Sequence, residues 1–296
     1  MSDSVSRFQN VIHVKNVPEQ QAYLKAVHLV SPDALALVRF GLRRADDPRI
    51  KDTITVIDQL LKIDTPFGPT WHRYNNDGYG EQADGSAFDG TGIGRGWPLL
   101  TGERAHYELA AGNHDTARQL QATLEQFAGQ GGLLPEQVWD SEPIPELNLE
   151  IGRPTGSAMP LAWAHGEYLK LLRSLKDGRI FDCPPQTVER YLHQHTSSQI
   201  KAWRFNHKIR RLPAGKTLRI ETLAPATVHW SNNNWQTYND TPTTDTGLGV
   251  HFVDIDPSHI GDEGTLMFTF YWHHVDRWEG SNFQVICQAA DAPTAS

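Results

Sequence analysis

Cysteine is scarce in this sequence. Cys183 and Cys287 are the only two among 296 residues. They leave room for one long-range disulfide but exclude a disulfide-stapled scaffold and a cysteine-held metal. Long apolar runs are missing too: nothing approaches the ~20 residues of a membrane span. The start, MSDSVSRFQNVIHVKN, has no basic stretch followed by an apolar core, so no signal peptide is read. The expectation is a cytoplasmic protein, or a periplasmic or secreted one if an N-terminal part is missing. Cations are outnumbered, with 27 Lys and Arg against 35 Asp and Glu and a net charge of -8. That balance argues against nucleic acid as a partner. Gly90, Gly92, Gly94 and Gly96 alternate, yet no strand precedes them and no Gly-Lys-Ser/Thr follows, which removes the phosphate-loop reading. No nucleophilic Ser or Cys triad can be assembled. His273 and His274 are adjacent and face opposite ways on a strand, so they make no metal pair. No cofactor is expected, with a structural calcium on the Asp-rich loops the one exception left open.

What is present concentrates between Trp71 and Gly112. Its first 26 residues, Trp71–Gly96, carry seven glycines among aromatics and carboxylates. A loop this long is functional or disordered, and disordered segments are poor in aromatics. We therefore read it as a ligand-binding loop. Glu81, Asp84, Asp89, Glu103 and Glu136 lie in or beside this loop and a second one at 129–155. Paired carboxylates are the equipment of glycosidases. Trp71, Tyr74, Tyr79, Trp97 and Trp139 add aromatic platforms, and Arg73, Arg95 and Arg104 are the local cations, each either a ligand contact or a salt bridge pinning the loop.

Residues 17–62 read as helices joined by short turns. Asn16 and Glu19 form a capping box before Tyr23, Ala26, Val27 and Val30 at helical spacing. Ser31-Pro32-Asp33 and Asp47-Pro48 are two further start signals. Behind the second, Ile50, Ile54, Ile57 and Leu61 make an apolar stripe. Pro98 opens another helix with Gly112 as its stop, and Asn113 caps the next, which carries Ala117, Leu120, Leu124 and Phe127. The longest helix is expected at about Ser157–Leu175, and Pro184-Pro185 opens a last short one. Helix pairs with alternating short and long connections fit a bundle, a solenoid or an α/α toroid. From about residue 199, alternating runs broken by Gly, Pro and Asn read as an antiparallel β-sandwich. The fold class is thus α plus β in two domains, residues 1–195 and 196–290, with a flexible tail at 291–296. Trp272 and Trp278 are assigned to sandwich core or an interface in preference to a sugar platform.

Three motifs in order, NDGYGEQADGSAFDGTGIGRGWPLLTGERAHYELAAG (76–112), LLPEQVWD (133–140) and GSAMPLAWAHGEYLKL (156–171), resemble the bacterial glucoamylase and glucodextranase family. The segments FNHKIRRLPAGKTLRI, VHWSNNNWQTYND and FTFYWHHVDRWEG extend the resemblance across almost the whole chain. It implies an (α/α)6 barrel and inverting hydrolysis that releases β-glucose from α-glucan ends. The partners implied are an α-glucan or a malto- or isomalto-oligosaccharide. Glu136 matches the family's general base, flanked by Gln137 and Trp139. Arg73 and Tyr74 resemble its sugar-binding arginine loop, with Asp77, Tyr79 and Glu81 as neighbours and Trp97 walling the pocket. Trp163 and Glu167 match inner-barrel packing.

One departure matters. The family's general acid lies in a segment ahead of the arginine loop, and nothing before Trp71 resembles it. The helices counted are about half of the barrel's twelve. The expectation is an incomplete toroid carrying the general-base half of the site, inactive alone and completed by an N-terminal half or by self-association through its open helical edge. The alternative is a non-catalytic carbohydrate-binding or assembly protein derived from such an enzyme.

Overall fold

The computed structural model describes residues 11–260 and 264–288. The expected tail at 291–296 lies outside them. The chain divides into two compact units, one ending at Thr196 and the other beginning at Ser197.

The first unit contains six α-helices among its described residues. They are α1 (Leu35–Arg39), α2 (Pro48–Leu61), α3 (Pro98–Ala110), α4 (His114–Gln126), α5 (Ala162–Asp177) and α6 (Pro185–Val188). Their starts follow local chemistry. Asp47 accepts the backbone N–H of Arg49, and Pro48 occupies the first helical position where its missing N–H costs nothing. The stripe Ile50, Ile54, Ile57 and Leu61 is buried as its spacing demands. Asn113 occupies the cap position of α4, but its side-chain oxygen caps no backbone N–H; its amide N–H donates to Glu108 Oε2 at 2.7 Å. α3 is the hub, packing on α1, α4 and α5. Ile57, Leu61, Trp71, Trp97, Leu99, Leu120, Leu124, Leu134 and Leu171 form the core between the helices and the loop ends. These six helices form about half of a toroid and close no barrel.

Three expectations for this unit fail. Residues 17–30 are not a helix: β1 (Val11–His13) and β2 (Tyr23–Lys25) pair antiparallel, with 3-10 turns at Glu19–Gln21 and Ala26–His28. Asn16 sits at φ +66°, a left-handed conformation incompatible with the extended backbone of an N-cap. Trp163 is 58% exposed and is no packing residue among the described residues. The longest helix starts at Ala162, because Ser157 serves the neighbouring loop, its hydroxyl accepting the N–H of Gln137. A short hairpin, β3 (Lys62–Thr65) and β4 (Gly68–Trp71), delivers the chain to the long loop.

The second unit is a sandwich. A four-stranded sheet runs β10 (Thr244–Asp245), β11 (His251–Ile255), β7 (Thr217–Thr222), β5 (Ile200–Trp203). A six-stranded sheet runs β6 (Arg211–Pro213), β14 (Phe283–Gln288), β12 (Thr265–Trp272), β8 (Ala226–Ser231), β9 (Asn239–Pro242), with β13 (Arg277–Trp278) also on β12. Leu218, Ile220, Val253 and Ile255 of one sheet meet Val228, Trp230, Phe268, Phe270 and Val285 of the other in one core. Pairing is antiparallel except at two edge pairs, β5 with β7 and β6 with β14, which are parallel. Cys183 takes part in no disulfide among the described residues.

Candidate active site

The two long loops build one rim. Isolated bridges join Trp71 to Trp97, Gly96 to Val138, and Val138 to Pro154, so the segment around Glu136 is clamped between the end of the first loop and the end of its own. Glycine makes the first loop's folding possible by close approach. A Cβ on Gly92 would stand 1.9 Å from the carbonyl oxygen of Gly80, and one on Gly80 would stand 2.2 Å from that of Ile93.

At the head of this loop Arg73 is gripped side-on by Asp77, with Nε and Nη2 each 2.8 Å from a carboxylate oxygen. Its guanidinium lies 4.7 Å from the Trp97 ring centre, 5.0 Å from Tyr79 and 5.5 Å from Tyr74. Burial works against its charge, but the Asp77 hydrogen bonds and the charges of Asp77 and Glu136 outweigh it and raise the pKa. Nη1 has no protein partner among the described residues, so a fixed cationic donor remains for a ligand. Asp77 is held in turn: the N–H of Tyr79 bonds its Oδ1 at 3.0 Å, and its backbone oxygen accepts the N–H of Gly94.

Glu136 joins this shelf through Tyr79, whose hydroxyl donates to Oε2 at 3.2 Å. Burial and the adjacent Glu136 charge both raise the Tyr79 pKa, keeping it a donor. The Glu136 N–H is fixed on Ala158 O at 2.8 Å, and the half-buried carboxylate keeps Oε1 without a protein partner among the described residues. Arg73, Tyr74, Asp77, Tyr79, Trp97 and Glu136 are thus brought together.

The other expected site residues have different places. Gln137 is buried and accepts the N–H of Arg95 at 2.9 Å, locking the two loops. Trp139 is fully buried beneath Arg95, at 4.0 Å, with its indole N–H on Glu142 O, so it supports the loop and offers a ligand no surface. Glu81 faces a separate cavity of about 460 Å³, lined also by Tyr79, Phe88, Leu147 and Leu149. Its Oε1 accepts the N–H of Gly156 at 2.6 Å, while the buried Oε2 finds no partner. Arg95 and Arg104 resolve as salt bridges, to Asp140 and to Asp58 with Glu108.

Sequence reading missed a buried cluster on α1, α3 and α5. Arg39 Nη1 donates to both Glu167 oxygens, at 2.7 and 2.9 Å, while its Nε and Nη2 donate to Asp182. His106 lies 2.7 Å from Glu167 Oε1. Burial and the Glu167 charge push the Glu103 carboxyl up to about 7. Such a shift is common at catalytic acids and in structural ion networks alike.

The description "Glycosyl hydrolases family 15" matches residues 4–173. A glucoamylase of Clostridium sp. (strain G0005) is 46% identical over 164 residues, which are 55% of this chain and 22% of that protein. The crystal structure of a bacterial glucoamylase complexed with acarbose superposes with a TM-score of 0.56 at 42% identity, over 62% of this chain and 25% of that one. The chain spans between a fifth and a quarter of the length of these relatives. On a match running through more than half of its residues and both long loops, the chain belongs to glycosyl hydrolases family 15.

Proposed function

We propose that this chain supplies the sugar-binding shelf and the general base of an inverting α-glucan hydrolase that releases β-glucose from chain ends. The observation that carries this is one carboxylate, Glu136, with a free oxygen beside an arginine with a free donor edge. A glucose unit offers apolar C–H faces and a ring of hydroxyls. Tyr79 presents aromatic surface beside Arg73, with buried Trp97 backing the guanidinium; Arg73 Nη1 donates to a hydroxyl, while Glu136 Oε1 takes a proton from the attacking water. Gln137 and Trp139 act from behind, by holding the Glu136 loop in register.

Inverting hydrolysis also needs an acid, with the two carboxyls roughly 6.5–9.5 Å apart. Among the neighbouring carboxylates, Asp77 is committed to Arg73 and Asp140 to Arg95 and His72, while Glu81 faces the other cavity. We assign the acid to complementing helices that complete the half toroid. Exposed apolar side chains on α2 (Val56, Leu60) and α5 (Trp163, Leu169) are the surface such helices cover. Calorimetric titration of the chain with maltose and isomaltose tests the shelf. Saturable binding that Arg73→Ala abolishes supports it, and binding indifferent to Arg73→Ala contradicts it.

A further inference from the structure

Between α1 and α2 the sequence RRADDPRIK, residues 43–51, sets four cations against two acids. Both acids are engaged. Arg44 grips Asp46 side-on, through Nε at 2.9 Å and Nη2 at 3.1 Å, and Arg49 grips Asp47 the same way at 3.0 and 2.7 Å. Arg43 and Lys51 are left over. The Arg43 side chain donates only to the carbonyl oxygen of Leu42, at 3.3 Å, and the Lys51 ammonium reaches Asp46 only through space. In a chain whose net charge is -8, this surplus of positive charge is a local feature. The backbone that carries it is fixed. The N–H groups of Leu42 and Arg43 both return to Leu37 O at 2.9 Å, and Tyr107 on α3 donates its hydroxyl to Ala45 O at 3.2 Å.

Arg43, Arg44 and Lys51 line one pocket of about 560 Å³, and Val38, Tyr107 and Leu192 give it an apolar wall. That volume suits a small molecule. We propose that this pocket binds a small phosphate monoester, with the phosphate held by Arg43 and Lys51 and the organic body lying against Val38, Tyr107 and Leu192. A monoester phosphate carries about two negative charges near neutral pH, which the two uncompensated cations match. The arginine fork and the lysine point charge are both established ways of holding phosphate oxygens. Asp46 is the one acid on the pocket wall, and Arg44 neutralises it. The pocket shares no residue with the shelf of Arg73 and Glu136, so the proposal stands apart from the proposed hydrolysis.

The test is calorimetric titration of the full chain, in a phosphate-free buffer, with AMP, glucose 1-phosphate and inorganic phosphate. It is repeated on Arg43→Gln, Lys51→Gln and the double variant, whose changes lie at exposed positions and leave the fold intact. Expected is saturable binding of an ester about tenfold or more tighter than of inorganic phosphate, which lacks a body for the apolar wall. The double variant is expected to lose about tenfold or more in affinity, and added salt to weaken binding. Binding of AMP alone or of glucose 1-phosphate alone upholds the proposal and identifies the body the pocket takes. No saturable binding of either ester overturns it, as does affinity equal to that for inorganic phosphate or unchanged in the double variant. Binding abolished by Arg73→Ala also overturns it, because the ester would then sit on the shelf. Failure of the proposed function would show in maltose binding and leave these readings untouched.

Discussion

At the scale of single residues, charge state and hydrogen-bond commitment decide roles that residue type leaves open. Glu103 shows this through pH. It ionises at an ordinary value of 4.5 when unfolded but at about 7 in the folded chain. The folded state therefore holds the extra proton between those values, and the group's contribution to stability, whole below pH 4.5, is lost as pH rises through 7. The full loss is about 3 kcal/mol. Glu103→Gln, neutral throughout, is expected to leave stability near pH 4.5 unchanged and to raise it progressively toward pH 8. Urea unfolding of both proteins at several pH values checks this, and parallel curves would contradict it. Arg39 has the opposite standing. Removing a buried cation from two carboxylates strands their charge, so Arg39→Met is expected to cost about 3–5 kcal/mol by the same measurement.

Among elements, the loops carry the consequences. The glycine-rich loop packs backbone on backbone, and Gly92→Ala would drive a methyl to within 1.9 Å of the Gly80 carbonyl oxygen. A cost of about 1–3 kcal/mol is expected, with faster proteolysis within 78–94 while α2 stays protected from hydrogen exchange. Sequence legibility divides along the same line. Helix α2 was readable because its cap, its proline and its stripe agree with one another. Residues 17–30 misled because apolar spacing at Tyr23, Ala26 and Val27 mimics a helix, whereas pairing with Val11–His13 wins. The Arg39 cluster joins partners 128 and 143 positions apart, a proximity no local pattern encodes. Within the candidate site, the structure brings together Arg73, Tyr79 and Glu136, which the motifs had grouped. Nothing in the sequence distinguishes Trp97, which packs on Arg73, from Trp139, which packs beneath Arg95; both are buried, and it is their arginine partners that differ.

For the molecule as a whole, the helices form about half a ring, and on the proposed function the helical unit carries half a site. Arg73 and Glu136 are oriented by contacts within their own loops, so on that proposal the shelf needs no further chain, whereas the acid does. The purified chain is expected to release no glucose from maltose, isomaltose or dextrin. Completing the ring is expected to create activity. The most direct measurement fuses this chain behind the preceding part of the Clostridium glucoamylase catalytic region and follows glucose release from maltose, with the first anomer identified by NMR. The account predicts β-glucose from the fusion and a fall of about 10²–10⁴-fold in Glu136→Gln, with the fold retained. Turnover in the fusion that survives Glu136→Gln, or α-glucose as the first product, would contradict Glu136 as the general base of an inverting site.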